Sequence, residues 1–321
     1  MTIREFMETY YHHFNARETL EAAKAFKAHL DGGGRMFLAM AGAMSTGELG
    51  RSLARLIRAD KIHGISSTAA NLEEDIYNLL MHDEYRRVPN YRDLTPAEEV
   101  ALRDQGFNRV TDTCIPEQAF NVLSDAFLDQ CARAAEDGQR LMPYEHLYKL
   151  LDSGVLYDRF RAPIEHSWVI AAWERRLPIY TPGFEDSTLG NIFTASVMSG
   201  RLPRHDIIRS GTEQLEHLAG WYERTVEKGS VGFFQIGGGI AGDFSICAVP
   251  MLIQDLKRKE TPLWGYFCQI SDSTTSYGSY SGAVPNEKIT WYKIDHNTPR
   301  FMIQSDASIV APLIFSYVLG D

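Results

Sequence analysis

Cysteine is scarce in this sequence. Among 321 residues there are four, Cys114, Cys131, Cys247 and Cys268, spread without a C-x-x-C pair, which argues against both a disulfide framework and a zinc centre. No stretch reaches the roughly 20 consecutive apolar residues of a membrane span. The first residues, Met1 to Glu8, are acidic and amphipathic and lack the basic-then-apolar order of a signal peptide, so the expectation is a cytoplasmic protein that does not engage a membrane. Positive charge is also in deficit, with 32 Lys and Arg against 42 Asp and Glu and a net charge of -10. The basic residues are dispersed, and a nucleic-acid protein needs a basic face, so that class is excluded. Small basic substrates suit this balance better. Nothing has metal-ligand spacing, and neither G-x-S-x-G nor a P-loop occurs. What remains, at 44% hydrophobic and 23% charged, is a globular chain long enough to bury a large core.

A repeating order runs through that chain. Residues 1–34 carry Tyr10, Phe14, Leu20, Phe26 and Leu30 at helical spacing and end in Gly32-Gly33-Gly34, a helix stop. Apolar strands are predicted at 35–41, 62–67, 177–182, 231–236, 263–270 and 300–304, each followed by a small-residue or polar loop and most by a helical pattern. Residues 82–118 break the periodicity and read as loops with short helices. Between Pro116 and Trp173 the spacing is helical, with His166 and Trp168 on such a helix. Strands this apolar are buried on both faces. The prediction is an α/β fold, Rossmann-like, with a mainly parallel sheet flanked by helices. It forms a single domain over 35–321 behind a helical N-terminal extension over 1–34.

Ligands in such sheets sit at the carboxyl ends of the strands, which singles out the loops at 42–48, 67–73, 183–191, 237–243, 271–293 and 305–306. Residues 237–242 match G-x-G-x-x-G, where glycine lets a backbone approach a pyrophosphate. Pro250 and the absence of an acid at the end of the next strand keep this from being a standard dinucleotide fingerprint. The acids Glu73, Glu74 and Asp75 begin a helix, where they complement its dipole. The stretch 279–306 places Lys293 two residues after Trp291 and six after Glu287. A lysine desolvated by apolar and aromatic neighbours loses its proton more readily and becomes a nucleophile; the same alternation also fits a half-exposed strand.

Five segments taken together are Gly237-Gly238-Gly239, Asp186 in Asp-Ser-Thr-Leu-Gly, Ser281-Gly282-Ala283 with Pro285-Asn286-Glu287, Trp291-Tyr292-Lys293-Ile294, and Ser305-Asp306-Ala307-Ser308. In this order, over nearly the full chain, the sequence resembles the deoxyhypusine synthase family. The resemblance implies a homotetramer with NAD near a subunit interface and polyamine chemistry in which Lys293 carries an aminobutyl group as a Schiff base. It also implies Trp291 and Glu287 as substrate contacts, and Ser67, Thr68, Glu73, Asp186, Gly237, Gly238, Gly239, Ser281 and Asp306 as cofactor contacts, with Thr46 matching more loosely. The departures gather in the substrate pocket. Asn191 and Tyr280 stand where the family has Asp, Asp243 where it has His, and Cys247 where it has Asn. Removing carboxylates that face an ammonium leaves charge unpaired, which points away from unmodified spermidine and a protein-lysine acceptor. The expectation is a transferase with an altered amine donor or acceptor. The alternatives are homospermidine synthesis with putrescine as acceptor, an inert NAD-binding oligomeric relative, and a plain NAD-dependent amine oxidoreductase.

Overall fold

The computed structural model describes residues 1–273 and 283–321. Two helices, α1 (Ile3–Tyr10) and α2 (Phe14–Asp31), lead into β1 (Arg35–Met40). Next come α3 (Gly50–Arg58), β2 (Gly64–Ser67) and α4 (Ala69–Met81). An excursion of β3 (Arg86–Arg87), α5 (Pro96–Asp104), β4 (Phe107–Val110) and β5 (Thr113–Pro116) precedes three helices, α6 (Glu117–Glu136), α7 (Pro143–Asp152) and α8 (Trp168–Glu174). Then follow β6 (Ile179–Tyr180), α9 (Thr188–Met198), α10 (Gly211–Val226) and β7 (Val231–Ile236). The chain closes with α11 (Ile240–Ile246), α12 (Ala248–Pro250), β8 (Tyr266–Ser271), α13 (Glu287–Thr290), β9 (Arg300–Gln304) and α14 (Ala307–Leu319).

Six strands make one sheet in the order β6-β2-β1-β7-β8-β9, with every neighbouring pair parallel. Counted by appearance within that sheet, the order is 3-2-1-4-5-6. It reverses between β1 and β7, which pair from Arg35 with Val231 to Met40 with Ile236. In doubly wound sheets the ligand crevice opens where the strand order reverses.

The side-chain period of a strand is two residues, and it sorts the core onto two faces. Met36, Leu38, Met40, Phe234, Ile236, Tyr266, Cys268 and Ile270 point to one face, which α2, α3, α4 and α14 cover. Phe37, Ala39, Phe233 and Phe267 point to the other, under α10, α11 and α12. The lead-in helices belong to the first layer. Phe26 on α2 is fully buried, its ring centroid lies 5.4 Å from that of Phe234, and the Tyr266 hydroxyl donates to the Ala22 carbonyl at 3.0 Å.

Three expectations change. Residues 82–118 hold a three-stranded antiparallel sheet, β3-β5-β4, whose strands of two to four residues are too short to show a period. The strand expected over 177–182 has two residues, because Pro178 and Pro182 cannot donate to a ladder. His166 lies in a 3-10 turn, Ile164–His166, ahead of α8, because Ser167 starts that helix by accepting the Ile170 N–H at 3.0 Å. Among the described residues no helix is long and apolar enough to cross a membrane.

Candidate functional site

The carboxyl ends of the strands open a cleft of about 630 Å³ at the β1/β7 reversal. Gly42, Thr68, Gly237 to Gly239 and Asp306 line it, together with Asp186 from the loop before α9. The glycines are demanded by geometry. Gly237 has φ +74°, and a Cβ there would stand 3.3 Å from the Ala41 Cβ. Gly239 has φ 74° and ψ -156°, a region essentially reserved for glycine. The result is a wall of bare backbone between two strands. Asp306 is the N-cap of α14, its Oδ1 accepting the Ser308 N–H at 2.8 Å and the Ser308 hydroxyl at 2.7 Å.

The loop expected over 183–191 ends at Ser187, which opens α9 by accepting the Gly190 N–H at 3.0 Å, so that Thr188 to Asn191 form the first turn of the helix. The Asn191 amide donates to the carbonyls of Glu185 at 2.8 Å and Ser187 at 2.7 Å. Gly190 packs so tightly that an added Cβ would lie 2.2 Å from the Phe184 carbonyl oxygen.

Thr46, Ser67 and Glu73 are not among the cleft-lining residues. Glu73 accepts the N–H of Thr188 at 2.9 Å and of Leu189 at 2.8 Å, capping α9, and burial pushes its carboxyl up to about 7 against the pull of those bonds. Thr46 is buried, with its N–H on the Glu74 carboxylate at 3.3 Å. Ser67 is fully buried at the end of β2. Glu73 thus serves a helix 115 residues further along the chain, a role no local pattern announces. Asp75, beside it in sequence, accepts from Ser167 Oγ and from the Val169 N–H, and burial raises it to about 7 as well.

Glu287, Trp291 and Lys293 form a second group on and after α13, and none of them lines the cleft. The turn is an α-helical piece rather than a strand. The Lys293 N–H donates to the Lys288 carbonyl at 3.1 Å, and its own carbonyl accepts the Trp264 N–H at 3.1 Å, so the backbone is pinned at both ends. Lys293 is half-buried and Glu287 exposed. Trp291 is 62% exposed, and Tyr292 between it and Lys293 takes a left-handed φ of 57°. Asp243 is exposed on α11. Tyr280 and Ser281 lie outside the described residues.

One residue of this turn was missed by the sequence reading. Lys288 is the only buried lysine or arginine among the described residues, and its Nζ sits 4.8 Å from the centroid of the Phe267 ring. Burial pulls its pKa down, the Lys293 charge adds to that, and Asp243, Cys247 and Glu287 oppose it. The charge of Lys288 therefore links α11 to the Lys293 turn.

A parallel 3-2-1-4-5-6 sheet with a glycine wall at its reversal defines a doubly wound α/β protein with its cleft at the point where the strand order turns. The family model for deoxyhypusine synthase matches residues 3–318. The chain belongs to the deoxyhypusine synthase family, a family of transferases. A deoxyhypusine synthase-like protein of Cyanothece sp. is 31% identical over 293 residues, 88% of this chain and 70% of that one. Another, of Thermosynechococcus vestitus, is 30% identical over 100% of this chain and 79% of its own length. Among solved structures, a protein of Entamoeba histolytica with a provisional deoxyhypusine synthase assignment superposes with a TM-score of 0.59 at 13% identity, over 100% of this chain and 94% of its own.

Proposed function

We propose that the protein is an NAD-dependent transferase that moves an aminobutyl-type group from a polyamine through an imine on Lys293 to an acceptor amine, in an altered substrate pocket. The observation that carries this reading is the Lys293 turn, which fixes the backbone of a half-buried lysine through bonds to Lys288 and Trp264 within a chain of this family. Gly237 to Gly239, Thr68, Asp186 and Asp306 would hold NAD, which would supply hydride acceptance from, and hydride return to, the carbon beside the donor nitrogen. The Lys293 amine adds to the imine carbon so formed and expels the leaving amine. It then holds the alkyl chain as its own imine until the acceptor amine adds and displaces it. Trp291 supplies an apolar, cation-attracting wall, and Glu287 a carboxylate for an ammonium.

The cleft residues fit the cofactor. The bare backbone of Gly237 to Gly239 admits a pyrophosphate closely, and Asp186, Asp306 and Thr68 offer acceptors for ribose hydroxyls. Homotetramer formation and a cytoplasmic location go with this reading. A small diamine such as putrescine as acceptor, the homospermidine-type reaction, is a second reading. It is favoured by Asn191, a neutral residue in the first turn of α9 whose amide hydrogens are spent on the Glu185 and Ser187 carbonyls.

Incubation with NAD and a panel of di- and polyamines, followed by borohydride and peptide mass spectrometry, should place an alkyl adduct on Lys293 that Lys293→Ala abolishes. An adduct-free Lys293 with every amine tested would sink the carrier role and leave an inert NAD-binding relative. Steady accumulation of NADH without transfer would identify an amine oxidoreductase instead.

A further inference from the structure

Two glutamines are buried side by side in the sheet. Gln235 on β7 and Gln269 on β8 are register partners, 3% and 2% exposed, on the face that Phe233 and Phe267 otherwise make apolar. A primary amide taken out of water costs free energy unless it is hydrogen-bonded, and both side chains spend a donor on the same atom. The Gln235 Nε2 donates to the Gly237 carbonyl at 3.2 Å, and the Gln269 Nε2 donates to it at 3.1 Å. The Gly237 N–H is spent on the Ile270 carbonyl at 2.8 Å, so the first residue of the glycine wall is pinned at both polar groups. Gly242 on α11 makes room for this arrangement, since a Cβ there would overlap the Gln235 amide. In a trans peptide the N–H points opposite to the carbonyl. Holding the Gly237 carbonyl against two amides therefore turns the Gly238 N–H away from them, and Gly238 lines the cleft. Among the described residues nothing accepts that N–H. A Gly-Gly peptide is also the one most easily flipped, because glycine takes either sign of φ at little cost. A flipped peptide would offer its carbonyl oxygen where the N–H had been.

We propose that Gln235 and Gln269 are positioning residues for the cofactor: they clamp the Gly237 carbonyl so that the Gly238 N–H is presented to an oxygen of a dinucleotide's pyrophosphate. This rests on the NAD reading for the identity of the ligand, and binding experiments separate the two. NADH is titrated by fluorescence and inorganic pyrophosphate by calorimetry. Substitution by methionine keeps the length of the side chain and removes the donor. Gln235→Met and Gln269→Met should each weaken NADH binding about threefold and the double variant at least about tenfold, with pyrophosphate weakened in step. Should the double variant fail to fold, the two single variants carry the test. Gln269→Glu supplies a readout that packing alone would not move. Its carboxyl donates to the Gly237 carbonyl when protonated and cannot when ionised, so its NADH affinity should fall between roughly pH 5 and 9 more steeply than that of the wild type. Methionine variants that bind NADH as the wild type does, or a Gln269→Glu affinity no steeper in pH than the wild type's, overturn the clamp and leave the NAD reading standing. A wild type that binds pyrophosphate but not NADH, with the methionine variants losing pyrophosphate, keeps the clamp and removes NAD as the ligand. A wild type that binds neither overturns both.

Discussion

At the scale of single residues, the carboxylates of α4 carry the largest pH consequence. Glu73, ordinarily near 4.5, is held at about 7 chiefly by burial, and Asp75, ordinarily near 3.8, is also raised to about 7 for the same reason. Both groups bind their proton more tightly folded than unfolded. Their contribution to stability is thus fully present below the unfolded values and is lost as the pH rises through about 7. For Glu73 the upper bound is about 3 kcal/mol across that window, from 1.36 kcal/mol per pKa unit. Glu73→Gln imitates the protonated acid, so the expected outcome is a flatter decline of melting temperature between roughly pH 5 and 8 than the wild type shows. A variant as steep as the wild type would assign the slope elsewhere. Neither this coupling nor Lys288 was legible in the sequence. Three acids opening a helix look like dipole complements, and Glu-Lys-Ile-Thr looks like a solvated turn. Burial of both is decided by elements distant in the chain: α9 for Glu73 and β8, through Phe267, for Lys288.

Elements were far more legible. The six strands of the main sheet were readable because burial on both faces demands continuous apolar runs, and five of the six keep most of their expected length. The antiparallel excursion was hidden because its strands are shorter than any period can reveal. Glycine runs marked loops correctly, but their tightness depends on neighbours. Gly190 is the clearest case: a Cβ would overlap the Phe184 carbonyl at 2.2 Å. Gly190→Ala should therefore cost about 3 kcal/mol in urea unfolding, at the upper end of overpacking penalties. Gly211, at the first position of α10 with nothing within 4 Å of its would-be Cβ, is the contrast. Gly211→Ala should be neutral or stabilise by about 0.5 kcal/mol. Equal losses at the two positions would mean that the Phe184 carbonyl is not what constrains Gly190.

At the scale of the molecule, the glycine-walled cleft draws its lining from segments at 41–44, 68, 186, 236–240, 270–273 and 305–307, while the Lys293 turn stands apart from that lining. A homotetramer, as proposed above, should show about four times the monomer mass by light scattering at micromolar concentration, a value independent of whether NAD is present. A monodisperse monomer under those conditions would remove assembly from the reading. Net charge of -10 opposes association through self-repulsion, so the mass should hold or rise, not fall, as salt is added.

The strand order has a consequence for synthesis. β1 pairs with β7, nearly 200 residues later, and β9 joins at the sheet edge only close to the end of the chain. Contacts of such sequence separation form slowly, after the loop between them has been closed. While the ribosome is still making the second half, β1 and β2 are exposed as apolar strands with an unclaimed edge, a state prone to aggregate. Truncation before β7 should therefore yield insoluble material rather than a half-active fragment, and chaperone dependence during translation should ease once residue 236 has emerged.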